Sequence, residues 1–280
     1  MAAPTYSDII KFSKSVEKVS KAARQTFEKA VRNVDFSDWT QAAQQLREIV
    51  NQVILTYGPA AGELGAQWYE YCRSLNIAGA YTAKLADINQ TSIDYGVNSA
   101  IDKMFSGEMT ALIATEAIAG IVESQVQNQS RETIHKNLED EYNQALASGN
   151  KKLAKKAGFA RVTSDSACAF CVMVASQGFH YTSEKTAGEQ YHPHCSCVAV
   201  PFADAGEIKG YSDRLEKYQK IYDDANSLRK SDDMPEELRE RISQAKAEHN
   251  AKYKAGEIRD RWSASNETLI VMRWQNDGMH

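Results

Sequence analysis

The sequence predicts a mainly α protein with a small α+β module. A helical N-terminal body would span 1–150, a cysteine- and histidine-rich module 151–203, and a helical C-terminal extension 204–280. Three observations carry this. Only five of the 280 residues are proline, while Ala, Glu, Gln and Lys, all favourable in helices, are frequent. Apolar residues recur at spacings of three and four through most of the first half and again after Tyr211. Four of the five cysteines fall between Cys168 and Cys197, with short β-prone runs on either side.

In chain order, Ser7 is placed to cap a helix over 8–32, whose apolar face is Ile9, Phe12, Val16, Val19, Ala23, Phe27 and Val31. Ser37 is placed to cap a second helix, with Trp39, Leu46, Val50, Val53 and Ile54 on one side and Gly58-Pro59 as its end. A third helix over 60–75 carries Leu64, Trp68 and Cys72 on one stripe. Trp39 and Trp68 read as core residues, and Cys72 as a small buried hydrophobe. The stretch 78–90 reads as a loop.

Two further helices, 93–105 and 108–127, are split near Gly107. The second is Ala-rich and apolar over more than half its circumference, which predicts burial against neighbours or another subunit. Asn128 to Ser130 reads as a polar break before a strongly polar helix over 131–147. In the extension, 211–230 and 236–254 read as helices that could pair as a hairpin, divided by Ser231-Asp232-Asp233-Met234-Pro235. Their thin apolar stripes suggest a projecting or partner-bound element. The run Thr268 to Trp274 is rich in β-branched residues and reads as a final strand.

Composition narrows the function classes. A net charge of −4 does not point to nucleic acid. The longest apolar run, 109–126, is broken by Thr110, Thr115, Glu116, Glu123 and Ser124, short of the ~20 apolar residues of a membrane span. With no apolar leader after Met1, the expectation is a soluble protein made in a reducing cytoplasm, where clustered cysteines point to metal more than to disulfides.

The chemistry-bearing stretch is Cys168-Ala169-Phe170-Cys171 followed by His192-Pro193-His194-Cys195-Ser196-Cys197. A CxxC places two thiolates on one turn, and a second His/Cys group can complete the tetrahedron that zinc prefers. The expected ligands are Cys168, Cys171 and His192 with either Cys195 or Cys197, and His194 is an alternative to His192. The competing readings are a disulfide, inert thiols, or a thioredoxin-like redox pair, which would need a strand before the CxxC and a helix after it. Strands over 159–163 and 195–201 would flank the group, giving a zinc-stapled β module too small to fold by its core alone.

Lys151, Lys152, Lys155, Lys156 and Arg161 form a basic run before this module. It reads as a solvated helix end, with contact to nucleic-acid phosphates as the alternative. No catalytic set stands out. Ser164, Ser166, Ser176 and Ser183 lie near His180, His192, His194 and Asp165, but neither a GxSxG elbow nor an HExxH motif is present, and Glu184 and Glu189 are the nearest carboxylates.

Cys168-x-x-Cys171, Gly178, Tyr181-Thr182-Ser183-Glu184 and His192-Pro193-His194-Cys195-Ser196-Cys197 together resemble the MuF-like head morphogenesis proteins of tailed phages. The fuller run 168–201, with Ala175-Ser176-Gln177-Gly178 and Val198-Ala199-Val200-Pro201, is similar to a group from phages of actinobacteria. The preceding helices match loosely. The resemblance implies a minor capsid protein of the virion interior or portal region, present in the host cytoplasm during assembly. Its partners would be portal, scaffold or major capsid protein. Many such relatives carry the label capsid maturation protease. The chain departs from the pattern at His194, where Asn or Asp is usual, and at Ser196, where Arg is common.

Overall fold

The computed structural model describes residues 2–163, 167–177, 197–258 and 261–276. Four long helices form the body. Helix α1 spans Tyr6–Val31, α2 Trp39–Ser74, α3 Gln90–Phe105 and α4 Ala111–Ala147. The start of α1 is fixed by Thr5 rather than Ser7. Thr5 caps the Asp8 N–H while the Asp8 carboxylate accepts from the Thr5 N–H, a reciprocal capping box. Asp38, not Ser37, caps α2.

Two expected breaks are absent. Helix α2 continues through Pro59, although proline in a helix interior removes a hydrogen bond and costs ~3 kcal/mol. Both flanks of Pro59 are anchored: Val53, Ile54, Ala61, Gly62, Gly65 and Ala66 are all buried. Helix α4 likewise continues through 128–130. Gln129, with Thr133 and Asn137 on the turns that follow, serves the connection 76–89, which runs back along the bundle without regular structure. Gln129 donates to the Ala86 carbonyl at 2.5 Å, and Thr133 accepts from the Ala86 N–H at 3.1 Å. Fully buried Asn137 accepts from the Lys84 N–H at 2.8 Å and donates to the Lys84 carbonyl at 2.7 Å. Tertiary demand outweighs local propensity at both places.

Helices α2 and α4 run parallel. Gly62 lies beside Thr133, the Tyr69 hydroxyl donates to Glu141 at 2.6 Å, and Arg73 pairs with Glu141 at 3.0 Å. At Gly65 the two backbones nearly touch, since an added Cβ would overlap the Ser130 carbonyl and lie 2.9 Å from its Cα. Antiparallel to this pair, α1 places Arg24 against Glu116 and Glu123, and α3 places Gly96 beside Ile121. One core fills the lower bundle, including Phe27, Leu46, Val50, Ile93, Ile101, Ile118 and Val122.

A second core begins at the upper ends of α1, α2 and α4 and continues past residue 150 into the rest of the chain. It takes in the two strands β1 (Phe159–Val162) and β2 (Val198–Pro201), which pair antiparallel with Phe159 opposite Pro201 and Val162 opposite Val198. Every strand residue is buried on both faces, because helices cover the ribbon. The short α5 (Lys151–Lys156) precedes β1, and α6 (Ala169–Ser176) follows it.

The extension comprises α7 (Ser212–Lys230), α8 (Glu236–Lys254) and α9 (Ala264–Gln275). The expected strand at 268–274 is instead α9. A Ser263–Asn266 capping box starts it, and Thr268, Val271 and Met272 are buried. Helix α7 packs against both α6 and α9, not against α8 as a hairpin would require. Leu238 is the sole buried residue of α8. Trp39 is 41% exposed, resting edge-on against Phe36 at 6.2 Å rather than in the core. Trp68 and Cys72 are buried as expected, and burial raises the Cys72 thiol well above its ordinary range.

Candidate functional site

The cysteine group sits where α6 and the entry to β2 meet. Cys168 is the N-cap of α6, and its sulfur accepts from the Cys171 N–H at 3.4 Å, so the CxxC forms the first helical turn. That geometry puts the Cys168 sulfur at the positive end of the helix dipole, which favours negative charge. The strand expected before the CxxC is β1, and a helix, α6, follows it. However, β1 and β2 are antiparallel, so the surroundings are not the βαβ of a thioredoxin.

Cys197 lies one residue before β2 and packs against Cys171; both are buried, with Cys168 and Ala167 beside them. Thus the structure brings three of the five expected ligands, Cys168, Cys171 and Cys197, into one neighbourhood. His192 and Cys195, with the alternative His194, lie outside the described residues. Among the described residues no three potential donors converge on a single ion position. The expected serines 164, 166 and 183, Asp165, His180, Glu184 and Glu189 also lie outside them. Ser176 is described, and its hydroxyl donates to the Met173 carbonyl at 2.8 Å within α6.

Two residues near this group, Arg131 and His135, were not singled out in sequence, and a third, Arg161, was placed differently. Arg131 of α4 is 7% exposed; it donates to Asn128 at 2.9 Å and to the Cys197 carbonyl at 3.5 Å. Arg161, read as part of a solvated run, is instead 1% exposed in β1. Its guanidinium carbon stands 5.6 Å from the centre of the Phe170 ring, inside the CxxC. His135, one turn after Arg131, lies edge-on to Phe159 at 4.6 Å. Burial, followed by the charges of Arg161 and Arg131, lowers its pKa to about 3, so the imidazole is neutral. The legible signal was the spacing of Arg131 and His135 with Ile134, Leu138 and Ala145, which marks an inward face of an otherwise polar helix.

The site is held by the upper core. The Trp68 indole donates to the Ala199 carbonyl at 3.0 Å, and Phe12 stacks on that indole at 4.8 Å. On the other side the Thr163 N–H donates to the Tyr211 hydroxyl at 3.3 Å, and Tyr6 donates to the Thr163 carbonyl at 3.4 Å.

This arrangement, the bundle joined to a buried ribbon and a cysteine group, lies within the stretch matched by a family profile described as VG15 protein, residues 3–225. The chain belongs to the VG15 protein family. VG15 is a phage protein family, so this is a bacteriophage protein. The VG15 match takes in α1 to α6, both strands and α7 as far as residue 225; α8 and α9 lie beyond it. A search of curated proteins found no match, and a search of solved structures found none. No helix among the described residues is long and apolar enough to cross a membrane.

Proposed function

We propose that this VG15 chain is a minor capsid or head morphogenesis protein of the MuF-like kind. It acts in procapsid assembly and resides in the virion, at the capsid interior or portal region. The helical bundle would dock on portal, scaffold or major capsid subunits, and a structural zinc would staple the 151–203 module. The ligands would be Cys168, Cys171 and His192 with either Cys195 or Cys197. The observation that carries this reading is the meeting of Cys171 with Cys197 across 25 intervening residues, with Cys168 alongside. The donors fit zinc in kind: thiolates on one turn, a further thiol beside them, and imidazoles in the adjoining sequence. When bound, the ion would supply folding stability rather than reactivity.

A phage genome deleted for this protein tests the role. Loss of filled heads, restored by the wild-type gene and not by a Cys168→Ser, Cys171→Ser copy, is expected. Normal yields of infectious particles from the deletion would contradict it. The alternative, a capsid maturation protease, predicts cleavage of the phage's major capsid protein on co-expression. A DNA contact through Lys151, Lys152, Lys155 and Lys156 is a subsidiary proposal. It rests on the placement of all four on α5, and salt-sensitive binding that disappears on their joint substitution by Gln would support it.

A further inference from the structure

The last two helices, α8 and α9, are tied to each other by polar contacts. The Trp262 indole donates to the Glu267 carboxylate at 3.0 Å, Lys246 of α8 lies 4.0 Å from that carboxylate, and His249 of α8 stands edge-on to Trp262 at 5.4 Å. The pair of helices is tied to the body by other means. Its apolar attachment centres on Leu238 of α8 with Val271 and Met272 of α9, all in the upper core. The α9 helix lies against α6 and α7, and Arg229 of α7 pairs with Glu267 at 3.3 Å. The stretch matched by the family ends at residue 225, before this arm begins.

At 12 residues, α9 has a length at which an isolated helix is marginal in water. Its helical form therefore depends on the surface that α6 and α7 offer it. Lifting the arm uncovers two complementary surfaces at once, and a second copy of the chain carries the same two. Every contact that the arm makes to its own body can be remade on that copy, including the charge pair of Arg229 with Glu267, while the contacts of Glu267 with Trp262 and Lys246 travel with the arm.

The place for the change of direction is the turn 231–235 between α7 and α8. None of its residues is buried. Arg239 braces it, donating to the Met234 carbonyl at 3.1 Å and to the Asp232 carbonyl at 2.6 Å. A few unburied residues at the end of an element suit a hinge, because they absorb a backbone change at little cost to packing.

We propose that α8 and α9 form an exchangeable arm, and that the surface made by α6 and α7 is a docking site for the α9 helix of a second copy of this chain. The product is a symmetric dimer in which each arm crosses to the other body. This inference goes beyond the reading above and does not depend on zinc.

Charge reversal in the full-length protein tests it. Arg229→Glu sets two like charges against each other at the α7–α9 contact, and so does Glu267→Arg. When the two variants are mixed, each changed residue meets an opposite charge only if the arms cross between copies, and both contacts are then restored together. Light scattering of the 1:1 mixture is expected to show a heterodimer that associates roughly tenfold more tightly than either variant alone. A mixture no more associated than its components, with the far-ultraviolet dichroism of each preserved, would overturn the proposal. If either variant fails to fold, a shortened turn decides. Deleting Asp232 and Asp233 from the wild-type chain hinders the return of the arm to its own body and should yield a stable dimer; a monomer would overturn the exchange.

Discussion

The indole N–H of Trp68 donates to the carbonyl of Ala199 at 3.0 Å, joining α2 to the strand that follows the cysteine group. Residues 131 positions apart are thereby locked inside the upper core. Replacing Trp68 with Phe keeps much of the apolar contact with Phe12 but leaves a buried carbonyl without its donor. A loss of about 1–3 kcal/mol is expected in urea unfolding. Unchanged stability would mean that Ala199 finds another donor and that the bridge matters little.

Two glycines should respond with opposite sign. Gly65 faces the Ser130 backbone, so Gly65→Ala must push α2 away from α4, and about 1–3 kcal/mol should be lost. Gly120 in α4 has open space where a Cβ would go, so Gly120→Ala should stabilise by about 0.5–1 kcal/mol. Thermal melts of the two variants check both.

Pro59 is exposed in the middle of α2. Pro59→Ala restores a backbone donor to the helix while giving the unfolded chain more freedom. The first effect, ~3 kcal/mol, exceeds the second, at most ~1 kcal/mol, so the variant should be more stable by about 2 kcal/mol. A less stable variant would show that the proline rigidifies α2 usefully.

His135 sets a pH dependence. Its pKa falls from 6.5 to about 3 through burial and then through Arg161 and Arg131. The folded state therefore binds fewer protons than the unfolded state between these values. The contribution to stability is complete above pH 6.5 and is lost as the pH falls toward 3, by about 1.4 kcal/mol per unit. Unfolding free energies measured from pH 7 to 4 should decline, and His135→Gln should flatten that decline. A parallel profile in the variant would assign the acid sensitivity to other groups.

Much of the fold was legible, and the failures share one cause. The long amphipathic faces of α1 to α4 and the two strands follow from local pattern. Pro59, the 128–130 stretch and the 268–274 run did not follow, because distant partners decide each of them: Gly65 on Ser130, Gln129 on Ala86, and α9 against α7. The cysteine group was visible through spacing. Arg161 was not, since a strand covered on both faces loses the alternation that would reveal a buried cation. Trp39 shows the converse: a large aromatic near a helix start stays half in solvent beside Phe36.

The most direct test of the account is the zinc content of the purified full-length protein under reducing conditions, by elemental mass spectrometry. Stoichiometric zinc in the wild type, falling sharply in Cys168→Ser and Cys171→Ser, is the predicted result. A wild-type protein that folds, assembles into heads and contains no zinc would contradict it.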